Sequence, residues 1–263
     1  MPRRPGGRTI PSADCFAVVT GTSSGIGAAV AARLVDEGWT VVGVARRVAS
    51  IDGSGYRHIT LDLSNTADAV RVLDAEVGGA LRSRPWTRVG LVNNAAAGGS
   101  LGPLERIDAQ TLQSMMATNV VVPMHLMGLF VERTPPTAAL RIVNLSSGAA
   151  VRPFPGLSAY GATKAALRMA GMVLGTELAS PLRNTPAPDD VAILSYEPGV
   201  VDTPMQTGAR ETSAEQFPWV GLFHDFAAGG VIVPPERPAA EIVEFLESPR
   251  QSHFTESRLG SRT

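Results

Sequence analysis

A phenol, a primary amine and a hydroxyl stand in this chain at spacings that could move a proton. Tyr160 and Lys164 occupy positions i and i+4 in the run AYGATKAAL, and Lys164 is the single lysine among 23 basic residues, the other 22 being arginine. On a helix that spacing puts both side chains on one face. A phenol with a reference pKa of about 10 is a poor acid or base near neutral pH, whereas a fixed positive charge beside it favours the phenolate and draws the pKa down. The hydroxyl could then exchange a proton with a carbonyl or alcohol oxygen. A compact ammonium with three donors on a flexible stem can serve both the phenol's surroundings and a ribose hydroxyl, which a planar guanidinium does less well. Ser147 lies thirteen residues before Tyr160, just past the apolar run RIVNL, where its hydroxyl could bind the same substrate oxygen. An exposed lysine beside a core tyrosine and a structural serine at a strand end are the competing readings.

A second constellation would hold an anion. The segment TGTSSGIG, Thr20 to Gly27, follows an apolar run and opens a helical one. Gly21, Gly25 and Gly27 let the backbone turn sharply and approach a pyrophosphate, with the amides of Ser23, Ser24 and Ile26 and the positive end of the helix dipole facing it. The spacing departs from GxGxxG, and a tight strand-to-helix connection would look similar. Gly21-Thr22-Ser23-Ser24-Gly25 also matches GxSxG, the nucleophile elbow of a serine hydrolase, but only about twenty residues precede it to supply the oxyanion-hole strand that motif needs. Where a dinucleotide site usually shows a carboxylate for the ribose hydroxyls, the second apolar run ends in Ala45, followed by Arg46 and Arg47. Guanidinium groups can bind a 2′-phosphate in a bidentate way, so NADP(H) is favoured over NAD(H). Two solvated arginines in a loop are the alternative.

These residues need a scaffold, and the patterning supplies one. Short apolar runs predict strands at Phe16–Thr20, Thr40–Ala45, His58–Leu61, Val89–Asn93, Arg141–Leu145 and Val191–Tyr196, with a weaker one at Ser252–Leu259. Between them lie helical patterns. Ile26, Val30 and Leu34 share a face that Gly38 can terminate, Val70, Leu73 and Val77 share another, and longer patterns run over Ala109–Val131 and Ser158–Leu178. Alternation of this kind builds an α/β doubly wound parallel sheet of six to seven strands with helices on both faces. Pro-rich breaks at Thr134–Pro136, Pro181–Pro188 and Pro234–Pro238 read as loops inside one domain over residues 14–260.

Composition narrows the partners. With 263 residues, 44% hydrophobic and 18% charged, and a net charge of −1, the chain shows no electrostatic footprint for nucleic acid or an anionic membrane. A small molecule is expected. No run approaches a membrane-spanning length, and residues 1–13 lack the apolar core of a signal peptide, so a disordered tail on a cytoplasmic protein is expected. One cysteine, Cys15, and four scattered histidines, His58, His125, His224 and His253, predict neither an internal disulfide nor a metal site.

Taken together, the motifs resemble the short-chain dehydrogenase/reductases over about residues 15 to 247. The family's TGxxxGIG is Thr20–Gly27, its Asp-Leu after the third strand is Asp62-Leu63, and its NNAG is Asn93-Asn94-Ala95-Ala96, with alanine for the last glycine. The resemblance implies a Rossmann-type fold and a catalytic tetrad of Asn119, Ser147, Tyr160 and Lys164, Asn119 holding a water that links Lys164 to solvent. It also implies cofactor contacts from Asp62, Leu63, Asn93, Ala95, Pro198, Gly199, Val201 and Thr203, beside Tyr160 and Lys164. Within the family the run YEPGVVDTPMQTGARETS is similar to the sepiapterin reductase and benzil reductase subgroup, which implies reduction of ketones and diketones by NADPH. Sepiapterin reductases anchor the pterin on an aspartate near the C-terminus; SHFTESRLGSRT has none, which points to an apolar or aromatic dicarbonyl instead. Family members often pair through the two long helices, which implies a homodimer or homotetramer.

The substrate side is read from composition. Residues 206–230 carry Phe217, Trp219, Phe223 and Phe226 among glycines, suited to a mobile lid with an apolar inner wall, within a substrate loop of about residues 200–235. Phe154, Met205 and Gly199 would line the other side with Ser147 and Tyr160. An aromatic cluster that merely packs the loop onto the domain is the alternative. At the level of function, the expected carbonyl reductase competes with a silent NADP(H)-binding sensor and with the serine hydrolase.

Overall fold

The computed structural model describes residues 14–98 and 101–261; the expected tail at 1–13 lies outside them. Seven strands form one sheet: β1 (Cys15–Thr20), β2 (Thr40–Ala45), β3 (Tyr56–Thr60), β4 (Arg88–Asn93), β5 (Ala139–Leu145), β6 (Asp190–Glu197) and β7 (Phe254–Arg258). Their order is β3-β2-β1-β4-β5-β6-β7, and every neighbouring pair is parallel. The central strands β1 and β4 are buried throughout because both faces are covered. On one face, α2 (Thr66–Arg82), α4 (Val122–Arg133) and α5 (Ser158–Ala179) bury Leu73, Val77, Leu126, Phe130 and Leu167 against Phe16, Val18, Leu91 and Ile142. On the other, α1 (Gly25–Asp36) and α8 (Glu236–Glu247) bury Val30, Leu34, Ile242 and Leu246 against Ala17, Val19 and Val143. This is the doubly wound α/β sheet that the alternating pattern predicts.

Several boundaries differ from the sequence reading, each for a physical reason. The third strand begins at Tyr56 rather than His58, because Tyr56 pairs with Val41 at the start of the ladder and its ring packs on the α1 face. The pattern over Ala109–Val131 forms α3 (Ala109–Met116) and α4, joined without a break by a π-helical segment, Ala117–Val121. The whole helix, Ala109–Arg133, has 25 residues and a window of mean hydropathy 1.5, long and apolar enough to cross a membrane, contrary to the expectation that no run approaches that length. Most of that window, 61%, is buried inside the protein, as in a core helix. Pro238, expected in a loop, sits in the first turn of α8, where no intrahelical amide donor is needed.

The expected lid also has regular structure. It contains α6 (Pro204–Glu211) and α7 (Gly221–Ala228), and its base is pinched by a bridge between Val201 and Val233. The Asp202 amide donates to the Val233 carbonyl and the Val233 amide to the Val200 carbonyl, both at 2.9 Å.

Candidate active site

Parallel strands put the loops that follow them on one edge of the sheet, where open α/β folds bind ligands. The strand order reverses between β1 and β4, and the two strand ends are laced together there. Thr20 Oγ1 accepts from the amides of Asn94 and Ala95 at 3.0 and 2.9 Å, while Asn94 Nδ2 donates to the carbonyls of Thr20 and Gly21 at 2.8 and 3.3 Å. The glycine loop folds against this latch. Gly21 and Gly25 have φ of +77° and +58°, values that a Cβ disfavours. At Gly27 a Cβ would stand 2.4 Å from both Asn94 Nδ2 and the Gly21 carbonyl oxygen, so only glycine lets α1 settle onto the loop.

The residues present fit a dinucleotide. Ser24 provides no side-chain cap to α1, and no acidic residue lies in its first turn, so the positive helix end is open to an anion. A Cβ on Gly25 would come 2.9 Å from Thr203 Cγ2, which places the loop after β6 directly across from the glycine loop. Gly199 (φ +73°) turns that loop, Val201 is buried at the pinched base of the lid, and Thr203 caps α6 by accepting from the Gln206 amide at 3.4 Å. Past the buried Ala45, Arg46 and Arg47 are both exposed. Asp62 accepts from the Ser64 amide and hydroxyl at 2.9 and 2.8 Å; these bonds, with Arg46 nearby, hold its carboxyl below the usual range. Leu63 is buried beside it. The Asn93 side chain turns away from this edge into the core and donates to Asn144 Oδ1 at 2.9 Å.

The tetrad residues converge from three elements: the π-helical segment (Asn119), the turn after β5 (Ser147) and α5 (Tyr160 and Lys164). Lys164 is 3% exposed, and its Nζ donates to the Leu145 carbonyl at 2.6 Å and lies 5.6 Å from the Tyr160 ring centroid. Burial draws the ammonium down to about 8. Burial likewise pushes the Tyr160 phenol up to about 12, with the Ser147 hydroxyl acting in the opposite direction. The depression expected from Lys164 is not seen: withdrawal from water dominates and raises the phenol instead. Ser147 Oγ also accepts from the Ala149 amide at 3.2 Å, capping a 3-10 turn over Gly148–Ala150.

Asn119 sits in the π-helical segment, 1% exposed, with its amide committed to protein groups. Its Oδ1 accepts from the Ala97 amide at 2.7 Å, and its Nδ2 donates to the Ala97 carbonyl and to Thr163 Oγ1, both at 3.0 Å. Thr163 in turn donates to the Tyr160 carbonyl at 2.8 Å. Thr163 and Ala97 are absent from the sequence reading, and Asn94 enters it only as part of the NNAG motif; a buried threonine one residue before the lysine carries no local mark of its role.

On the substrate side the aromatic residues divide. Phe217 is fully buried in a cluster with Ala209 and Phe223, and its ring fills the space where a Gly156 Cβ would be, at 2.3 Å, so it packs the lid down rather than lining open space. Trp219 and Met205 remain 41% and 43% exposed, Met205 packing near Gly98, and Phe154 is half-buried.

A doubly wound sheet with a glycine loop at its switch point and a Ser-Tyr-Lys group beside it defines a nicotinamide-dependent α/β oxidoreductase. The family model described as short chain dehydrogenase matches residues 16–214, and the chain belongs to that family. It is thus an oxidoreductase acting on CH–OH or C=O groups with NAD(P)(H). It is 30% identical over 241 residues to benzil reductase ((S)-benzoin forming) of Bacillus cereus, covering 89% of this chain and 94% of that one. It is 31% identical over 217 residues to sepiapterin reductase of Meriones unguiculatus, covering 75% and 78%. Among solved structures, 3-ketoacyl-(acyl-carrier-protein) reductase of Brucella melitensis, complexed with NADH, superposes with a TM-score of 0.71 at 26% identity, covering 93% of this chain and 97% of that one.

Proposed function

We propose that this protein is an NADPH-dependent reductase of ketones and α-diketones, with Tyr160 as the proton donor. The observation that carries this reading is the grouping of the half-buried Tyr160 phenol with Ser147 and, on the same helix face, Lys164. A reductase needs its acid protonated at working pH, and this phenol meets that condition. When bound, the reduced nicotinamide supplies a hydride to the carbonyl carbon. Ser147 orients the substrate oxygen, Tyr160 delivers the proton, and the ammonium of Lys164 stabilises the charge left on the phenol. Asn119 and Thr163 fix the backbone that carries Tyr160.

Arg46 and Arg47, with no carboxylate ending β2, support NADPH as the reductant. The relative named for benzil and (S)-benzoin, together with the exposed Trp219 and Met205, supports an aromatic diketone. Exposed Met116, Val121 and Met124 on the α3–α4 helix and Met169 and Val173 on α5 form apolar faces suited to a second copy, so a homodimer or homotetramer is part of the proposal. A cytoplasmic location fits the single, buried Cys15. The test is NADPH consumption with benzil, run beside a chromogenic ester. Diketone-dependent oxidation of NADPH is expected; NADPH binding without turnover on any carbonyl compound would overturn the reading.

A further inference from the structure

The turn that begins at Ser147 ends in a guanidinium. The Arg152 amide donates to the Gly148 carbonyl at 3.0 Å, and its side chain folds back over Gly148, where a Cβ would stand 2.4 Å from Nη2 and 3.1 Å from Glu197 Oε1. Arg152 Nη2 donates to Glu197 Oε1 at 3.2 Å, and Arg258 Nε lies 3.5 Å from that same oxygen. One carboxylate therefore serves two guanidinium groups, which leaves a net positive charge. The nearby Arg168 and Glu256 satisfy each other through two bonds at 2.5 and 2.7 Å and add nothing to the balance.

This cation lies on the reactive side of the sheet. Ile193, Ser195 and Glu197 alternate onto one face of β6, and Ile193 Cγ2 would be 3.5 Å from a Gly171 Cβ, so that face is the one α5 covers. The first turn of α5 rests on the same 3-10 turn, since a Cβ on Gly161 would come 2.9 Å from the Ala149 carbonyl. The first turn of α5 and the Arg152 side chain thus both pack on a single turn of chain. The side chains of Arg152 and Arg258 are 53% and 59% exposed, and ion pairs that open to water add little to stability. The turn they bracket opens with Ser147, which fits a different role, and a guanidinium with spare donors is built to take a carboxylate.

We propose that Arg152, steered by Glu197 and backed by Arg258, anchors a carboxylate on the carbonyl substrate, so that apolar or aromatic 2-oxo carboxylates are the preferred class. The inference rests on the reductase reading and narrows it. The reduced nicotinamide gives hydride to the carbonyl carbon, the C=O π pair takes the Tyr160 proton, and the products are a 2-hydroxy carboxylate and the oxidised nicotinamide. The carboxylate leaves unchanged, and solvent returns a proton to the phenol.

The test compares benzoylformate with its methyl ester, which has the same ketone but no charge. The wild type should prefer the acid in kcat/KM. Arg152→Met should lower kcat/KM for the acid about 10- to 100-fold, mostly through KM, as expected for the loss of a charge-assisted pair, and change the ester less than about 3-fold. Arg152→Lys should recover part of the loss, and Arg258→Met should weaken only the acid. Equal losses on both compounds, or no loss on the acid, would overturn the proposal. Calorimetric titration of benzoylformate into the NADPH-free and NADP⁺-loaded protein gives a second readout: binding that Arg152→Met abolishes supports the subsite, and absence of binding to the wild type overturns it. Failure to reduce any carbonyl compound would instead count against the reductase reading.

Discussion

Asn119 and Thr163 are joined by a 3.0 Å hydrogen bond between the amide of a π-helical residue and a hydroxyl on α5. Because Thr163 also donates to the Tyr160 carbonyl at 2.8 Å, the loop after β4, the α3–α4 helix and the helix bearing the proton donor form one connected unit. Thr163→Val removes the hydroxyl while keeping the shape, leaving a buried amide proton unpaired at a cost of about 1–3 kcal/mol. The expected result is a lower melting temperature and a kcat reduced about 10-fold with KM for NADPH little changed, with Thr163→Ser restoring both. Stability loss without any change in kcat would reduce Thr163 to a packing residue.

Tyr160→Phe deletes only the proton donor. For a general acid the expected loss in kcat is about 100- to 10,000-fold, with NADPH affinity retained. Near-normal turnover in this variant would remove Tyr160 from the proposed chemistry.

Lys164 and Tyr160 give stability opposite dependences on pH. Lys164 titrates at about 8 in the fold against an ordinary 10.5, so between those values the unfolded chain holds a proton that the folded one has lost. Stability therefore rises with pH in that window, by on the order of 3 kcal/mol in total. Tyr160 is pushed from 10 to about 12, so above pH 10 the unfolded chain ionises first and stability falls. Denaturation midpoints should show Lys164→Met flattening the rise between about pH 8 and 10 and Tyr160→Phe removing the fall above it. A Lys164→Met profile parallel to wild type would contradict the buried ammonium.

The strands were legible because a parallel sheet covered on both faces must be built from near-continuous apolar runs, and Cys15–Val19 and Val89–Val92 are of that kind. Gly21, Gly25 and Gly27 were legible because backbone conformation and close approach leave no other choice. Thr163 was not, since its partner Asn119 lies across the fold and neither residue type nor local spacing announces a distant amide. The π-helical segment was hidden for another reason: one extra residue per turn leaves an apolar pattern apolar, and only the Asn119 bond to Ala97 reveals why the helix widens there. The helices inside the lid were masked by its glycines and aromatics, which suit loops and helix junctions equally.

Arg46 should set cofactor preference. Arg46→Asp places a carboxylate where a ribose diol would be recognised and a 2′-phosphate repelled. The expected change is a fall of about 10- to 100-fold in kcat/KM for NADPH, with NADH unchanged or improved. Steady-state rates with both cofactors decide this, and equal losses on the two would show that Arg46 does not face the 2′ position.

Phe217 ties the lid to the body of the protein, because its ring occupies the space above Gly156 and stacks edge-on to Phe223 with centroids 5.7 Å apart. The base of the segment is held separately by the Val201–Val233 bridge. Phe217→Ala should cost about 3–5 kcal/mol of local packing, loosening α6 and α7 while leaving the sheet intact. The readouts are faster proteolysis within residues 206–230 and a raised KM for the carbonyl substrate at unchanged NADPH affinity. Cofactor affinity falling in step with substrate affinity would mean that the segment closes over both ligands, and that the aromatic cluster belongs to the dinucleotide site as much as to the substrate's.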